Sequence, residues 1–181
     1  MLRFDLIDRL TADAQMAYLS KQGIVDFCVS EDSDLVPFGA KRMIHKLDLD
    51  GTCFELDMRS PNDWDVSQAS RLDAAFILQF QSLTHKHVVD FCILSGCDYA
   101  ESAPKVGIKT AMSLICRFPE PESFLNEICS NPRTCPSDPE RFRHDFFRAR
   151  EAFRNHMVLN PRDGLTLSLN GIQGPSDEVM L

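Results

Sequence analysis

The stretch Gly23-Ile24-Val25-Asp26-Phe27-Cys28-Val29-Ser30-Glu31-Asp32-Ser33-Asp34-Leu35 is a short, largely apolar run that ends in three carboxylates. Its length and β-branched content, with a helix-stopping glycine in front, read as a strand buried on both faces, the kind found inside parallel sheets. In an open parallel sheet the ligand crevice lies just beyond the carboxyl ends of the strands. Asp32 and Asp34 fall there. Side chains alternate along an extended chain, so these two acids would face one spot, where they repel unless a cation or a proton intervenes. The stretch alone supports two readings, an acidic turn with an Asx-type cap or a metal site.

Upstream, Thr11 reads as the N-cap of a helix whose apolar face is Ala14, Ala17 and Tyr18 and which Gly23 stops. Asp13 lies in its first turn, where the helix dipole by itself favours an acid. Downstream, Lys41 to Leu47 and Cys53 to Asp57 alternate polar and apolar residues around a turn at Asp50-Gly51, which reads as a hairpin. Helices follow from Ser70 to Leu83 and from a Thr84 cap through Ile93. Ser95-Gly96-Cys97-Asp98-Tyr99 then turns the chain into a helix from Gly107, whose face is Ile108, Ala111, Met112, Ile115 and Phe118. The region is therefore helix, glycine-containing turn, helix. Lys105 and Lys109 stand near the second helix start, where free N–H groups suit a phosphate; a plain helical hairpin with solvated lysines has the same signature. A short helix from Glu122 to Cys129, a proline-rich loop, a helix from Glu140 to His156 and an alternating strand from Leu165 to Leu169 complete the reading.

At 181 residues, with 44% hydrophobic and 25% charged content, the composition is that of a globular chain with a real core. No run of eighteen apolar residues is present, and no signal peptide shows, so no membrane is expected. Seven cysteines, most inside apolar runs and with no C-x-x-C pair, read as buried free thiols in a reducing compartment rather than a zinc site. Taken as a sum, the formal net charge of -8 disfavours nucleic acid, but the charge is unevenly spread. Met1 to Asp34 holds seven acidic residues against three basic ones, whereas Pro139 to His156 holds five arginines against three acids. An acidic pole and a basic pole suit a metal centre beside a phosphate-binding flank. A solvated face accounts for most of the five arginines, and a minority are candidates for DNA backbone contact.

The order of these motifs is more specific than any one of them. Ala12-Asp13-Ala14-Gln15, then Ser30 to Leu35, then Leu94-Ser95-Gly96-Cys97-Asp98-Tyr99, then Pro104-Lys105-Val106-Gly107 resembles the structure-specific 5′-nuclease superfamily. Cys97, where flap endonucleases usually have serine, looks like the exonuclease 1 branch. The resemblance runs from about Thr11 to Asn170. It implies an α/β fold: a partial parallel sheet of the 5′-nuclease (PIN-like) type, followed by a helical helix-two-turn-helix subdomain. Residues 1–58 would then be an incomplete nuclease core with the acidic metal site, 59–159 the helical subdomain, and 160–181 a C-terminal strand and loose tail.

The resemblance also implies a chemistry. Family members hydrolyse phosphodiesters with two divalent cations held by carboxylate oxygens. By position, Asp13, Asp32, Asp34 and Asp98 would bind Mg²⁺ or Mn²⁺, with Asp32, Asp34 and Asp98 catalytic. Ser95, Ser102 and Val106 would hold a potassium ion, and Lys105, Gly107 and Lys109 would contact DNA backbone. The implied activity is 5′ to 3′ exonuclease on double-stranded DNA with 5′-flap cleavage, in nuclear DNA repair, by a monomer with no small-molecule substrate. The alternative is a catalytically inactive DNA-binding remnant that keeps the helix-two-turn-helix grip. Thr11 stands where the family has the glutamate of Glu-Ala-Asp, and the family's preceding sheet strands, arch and two further aspartates have no counterpart before it. The chain is therefore expected to be a nuclease domain truncated at its N-terminus.

Overall fold

The computed structural model describes residues 11–64, 67 and 70–170. The readings of Met1 to Leu10 and of the tail at Gly174 to Asp177 lie outside these residues. The chain divides into two units, one joining the residues up to Arg59 with those from Glu151 onward, the other running from Ser60 to Arg150.

In the first unit, α1 (Ala12–Lys21) starts where Thr11 Oγ1 accepts from the Ala14 N–H at 3.4 Å. It ends because Gly23, at φ +66°, lets the chain fold back so that Ile24 N–H reaches Leu19 O at 2.9 Å. The strand β1 (Cys28–Val29) follows, then the short helix α2 (Leu35–Phe38), then β2 (Arg42–His45) and β3 (Phe54–Asp57). β1 pairs with β2 in parallel, Cys28 opposite Met43 and Val29 opposite Ile44. β2 and β3 form the expected antiparallel hairpin, with Gly51 N–H returning to Asp48 O at 3.0 Å. The partial parallel sheet of an α/β fold is therefore present.

The opening strand is shorter and less covered than its sequence suggests. Only Cys28 and Val29 are extended as a strand, and only Cys28 is buried, its Sγ donating to Met16 O of α1 at 3.4 Å. Val29 is 50% exposed, and among the described residues β1 pairs with β2 alone. From the other end of the chain, β4 (Met157–Leu159) and β5 (Thr166–Ser168) pair antiparallel, and β4 packs against α1. Gln15 acts as a rung between them: its Nε2 donates to Leu159 O at 2.9 Å, and its Oε1 accepts from Leu159 N–H at 2.7 Å. The core gathers Ala14, Ala17, Leu35, Phe38, Phe153 and Val158, with the Phe38 and Phe153 rings edge to face at 4.9 Å.

The second unit is helical. A 3₁₀ turn (Pro61–Asp63) leads to α3 (Arg71–Gln81), capped by Ser70, and α4 (His85–Ser95), capped by Thr84. Then come α5 (Ile108–Arg117), α6 (Pro121–Ser130) and α7 (Pro139–Asn155), the unit boundary falling within α7 after Arg150. The expected 4, 3, 4 spacing of Phe142, Phe146, Ala149 and Phe153 is realised as a buried stripe. Phe146 meets Phe124 of α6 edge to face at 5.4 Å, and each such buried ring contributes about 1.5–3 kcal/mol by leaving water.

Two expectations about single residues are corrected. Of the arginines on α7, Arg150 does not belong to a solvated face but is buried against Asp90 of α4. None of the seven cysteines is disulfide-bonded, yet only Cys28 is buried, while Cys53 and Cys116 are exposed. Local apolar neighbours in sequence do not guarantee cover, because the hairpin end and the outer side of α5 face water. Among the described residues no helix is long and apolar enough to cross a membrane.

Candidate metal centre and nucleic-acid interface

In the first unit the acidic residues gather where β1 gives way to α2. The chain leaves β1 with Ser30 N–H still bonded to Ile44 O at 3.1 Å, then turns sharply. Ser30 Oγ accepts from Asp32 N–H at 3.0 Å, and Asp32 Oδ1 accepts from Asp34 N–H at 2.9 Å. Asp34 has helical backbone angles and leads into α2. The alternation argument for Asp32 and Asp34 therefore does not apply, since the chain between them is a turn and not a strand. What links them is an Asx turn, in which the Asp32 carboxylate orders the Asp34 amide. Glu31 is directed to the hairpin instead, accepting from Lys46 N–H at 2.8 Å and lying 3.2 Å from His45 Nδ1.

Asp13, in the first turn of α1, faces this turn electrostatically. Burial and then the Asp32 carboxylate push the Asp13 carboxyl above its ordinary range, although its own backbone N–H works in the opposite direction. A half-buried acid beside a second acid is an arrangement that a divalent cation relieves, so Asp13 and Asp32 fit a hard cation by charge and donor type. Asp34 stands one hydrogen bond away from Asp32. Among the described residues no group of three or more His, Cys, Asp or Glu side chains forms a ready-made cage. Thr11 uses its hydroxyl as the α1 cap.

The second unit carries Asp98 and the helix-turn-helix segment. Ser95 closes α4, and Gly96 follows at φ +126°, a backbone region that L side chains rarely adopt. Cys97 and Ala100 bridge across the tight turn that holds Asp98, which is exposed. The Ser95 Oγ is buried without a hydrogen-bond partner, and a Cβ built on Gly96 would come 3.5 Å from Ser102 Oγ. An orphaned buried hydroxyl of this kind suits a monovalent cation held by oxygens. Val106 is buried, with its N–H bonded to Ala103 O at 3.2 Å. Lys105 sits at φ +57°, uncommon outside glycine, and with Lys109 it is exposed at the start of α5. Gly107 is the N-cap there and supplies no side chain, so no cap competes for the first-turn N–H groups.

Sequence reasoning did not find three contributors. The Gln15 rung has no local signal, because its partner is 144 residues away. The Glu31 contact with Lys46 depends on strand register. The Asp90–Arg150 pair did have a signal: Arg150 lies four residues after Phe146 and three before Phe153, within the buried stripe of α7.

Comparisons with known proteins agree with this architecture. Residues 9–98 match the model of the XPG I-region. Exonuclease 1 of Oryza sativa subsp. japonica is 34% identical over 167 residues, which are 92% of this chain and 18% of that protein. Exodeoxyribonuclease 1 of Saccharomyces cerevisiae is 35% identical over 161 residues, 89% of this chain and 21% of that protein. The chain thus spans about a fifth of the length of these relatives. Flap endonuclease-1 from Methanococcus jannaschii shares the fold, with a TM-score of 0.56 at 17% identity over 82% of this chain and 38% of its own. Human GEN1, solved in complex with Holliday junction DNA, superposes with a TM-score of 0.51 at 26% identity over 83% of this chain and 36% of its own.

Proposed function

The chain belongs to the XPG I-region family, as a homologue of exonuclease 1 within the 5′-nucleases, and on that premise we propose that it serves a 5′ to 3′ double-stranded DNA exonuclease with 5′-flap activity. The observation that carries the reading is that Asp13, in the first turn of α1, lies within electrostatic reach of Asp32 in the turn after the parallel strand β1, which together with burial holds the Asp13 carboxyl above its ordinary range.

In this reading Asp13, Asp32, Asp34 and Asp98 would hold two Mg²⁺ or Mn²⁺ ions, with Asp32, Asp34 and Asp98 as the catalytic carboxylates. Such ions, when bound, supply Lewis acidity and lower the pKa of a water for in-line attack. The residues themselves do the positioning. The Asp32 carboxylate orders the backbone of Asp34, and the α1 cap at Thr11 fixes the turn that carries Asp13. Ser95, Ser102 and Val106 hold K⁺, and Lys105, Gly107 and Lys109 grip the duplex backbone, which fixes register without reading sequence. The setting is DNA repair in the nucleus.

The test is shortening of a labelled duplex with a recessed 5′ end in Mg²⁺. Asp34→Ala or Asp98→Ala is expected to remove the activity by several orders of magnitude, while cleavage that persists in chelator or survives both substitutions contradicts the reading. A second reading, a DNA-binding chain without catalysis, is favoured by Thr11, since a neutral hydroxyl stands where the family has a carboxylate. Duplex binding in chelator without cleavage in Mg²⁺ selects it.

A further inference from the structure

Glu31 precedes Asp32 in the turn that leaves β1, and both of its carboxylate oxygens meet the end of β2. Oε1 accepts from Lys46 N–H at 2.8 Å, and Oε2 lies 3.2 Å from His45 Nδ1. The same Nδ1 lies 3.2 Å from Ser30 O, so this nitrogen, facing two acceptors, carries the hydrogen. Ser30 N–H in turn donates to Ile44 O at 3.1 Å. Three consecutive residues of the hairpin, Ile44, His45 and Lys46, therefore hold two consecutive residues of the turn, Ser30 and Glu31. From there the order passes onward without a gap: Ser30 Oγ accepts from Asp32 N–H, and Asp32 Oδ1 accepts from Asp34 N–H.

As a stabilising device the contact is poor. The Glu31 side chain is 70% exposed and that of His45 34%, and ion pairs this open to water add little to folding. The backbone nevertheless adopts an uncommon conformation where it makes this contact. Lys46 sits at φ +50°, and among the described residues Lys46 and Lys105 are the two non-glycine residues at positive φ. Such conformations persist where surrounding contacts over-determine them, and they gather at functional sites. Lys105 belongs to the helix-turn-helix segment; Lys46 has its N–H on Glu31. Packing, moreover, cannot fix the turn, because Glu31, Asp32 and Ser33 are all exposed. Hydrogen bonds must do it, and those from β2 enter the turn at Ser30 and Glu31.

We propose that Glu31 is a positioning residue for divalent-cation binding: by fastening the turn to the end of β2, it fixes the directions in which Asp32 and Asp34 present their carboxylates. The proposal rests on the metal reading above and adds to it an acid that does not ligate. Groups that orient ligating carboxylates contribute to affinity without touching the ion, because a ligand already aimed loses less freedom when the ion arrives.

The test is Mn²⁺ binding to the chain, read from the electron paramagnetic resonance signal of the free ion, together with amide hydrogen exchange of the metal-free chain. Glu31→Ala is expected to weaken Mn²⁺ binding about ten-fold and to speed exchange of the Asp34 amide. Glu31→Gln keeps an oxygen for the Lys46 N–H, a weaker acceptor than a carboxylate, and is expected to weaken binding by no more than about three-fold. Thermal melting of each variant checks that the fold is retained. If Glu31→Gln weakens binding as much as Glu31→Ala, the carboxylate acts through its charge or as a ligand, and the positioning role is overturned. If Asp32→Asn removes binding while both Glu31 variants bind as the unaltered chain does, the positioning role is overturned and the metal reading stands. If the unaltered chain binds Mn²⁺ no better than Asp32→Asn, both fall.

Discussion

Arg150 and Asp90 form an ion pair inside the second unit: Nε lies 2.6 Å from Oδ1, with the side chains 10% and 0% exposed. The pair ties α7 to α4, the helix that delivers Ser95, Gly96 and Asp98. Desolvation makes such a pair a weak net stabiliser, but removing one partner strands a charge. Arg150→Met is expected to cost about 3–5 kcal/mol in urea unfolding, while Arg150→Met with Asp90→Leu recovers most of that loss. Equal loss in the single and double variants would contradict this account.

A second prediction concerns the acidic turn. The Asp13 carboxyl is held above its ordinary range by burial and by Asp32, so its folded form favours the proton. Stability from this group is fully present below its unfolded pKa and is lost as pH rises through the raised folded value. The metal-free chain at neutral pH therefore carries a cost from holding this carboxyl ionised. Asp13→Asn is expected to raise the neutral-pH melting temperature without metal and to shrink the gain that Mg²⁺ gives the unaltered chain. Calorimetric scans with and without Mg²⁺ read both effects.

The hairpin offers a third prediction. Asp57 is held down to about 2, chiefly by the hydrogen bond from the Arg59 side chain, with the Arg59 amide and the charges of Arg59 and Arg42 adding to it. Its contribution is present above the ordinary value of 3.8 and is lost as pH falls toward about 2. In an NMR titration, Arg59→Ala is expected to return the Asp57 midpoint toward 3.8. A midpoint that stays near 2 in this variant would assign the shift to another partner.

Thiol reactivity gives a fourth. Cys28 is buried, bonded to Met16 O, and burial pushes its pKa up, whereas Cys53 and Cys116 are exposed. Mass mapping of maleimide labelling is expected to find Cys53 and Cys116 modified first and Cys28 slower by roughly ten-fold or more.

What was legible in the sequence follows from range of interaction. Caps at Thr11 and Thr84, the hairpin at Asp50-Gly51 and the apolar stripe of α7 are written in neighbouring residues, and the structure has them all. The strand β4 left no mark because Met157 follows α7 within two residues, without a turn signal between them. The exposure of Val29 on β1 depends on what packs over the strand from elsewhere in the chain, which no local pattern encodes. For the site, the chain order of Asp13, Asp32, Asp34 and Asp98 was readable. The Asx turn between Asp32 and Asp34 was one of two local readings, and hydrogen bonds had to decide it.

The Gln15 side chain exchanges two hydrogen bonds with the backbone of Leu159, in the manner of a strand residue. The helix that carries Asp13 is therefore held in place by a segment made long after it. During synthesis the contiguous stretch from Ser60 to Arg150 can pack while α1 still waits for β4. Maturation of the acidic turn is on this account a late event in biogenesis, and chains interrupted before Leu159 would carry the aspartates without the clamp that sets them.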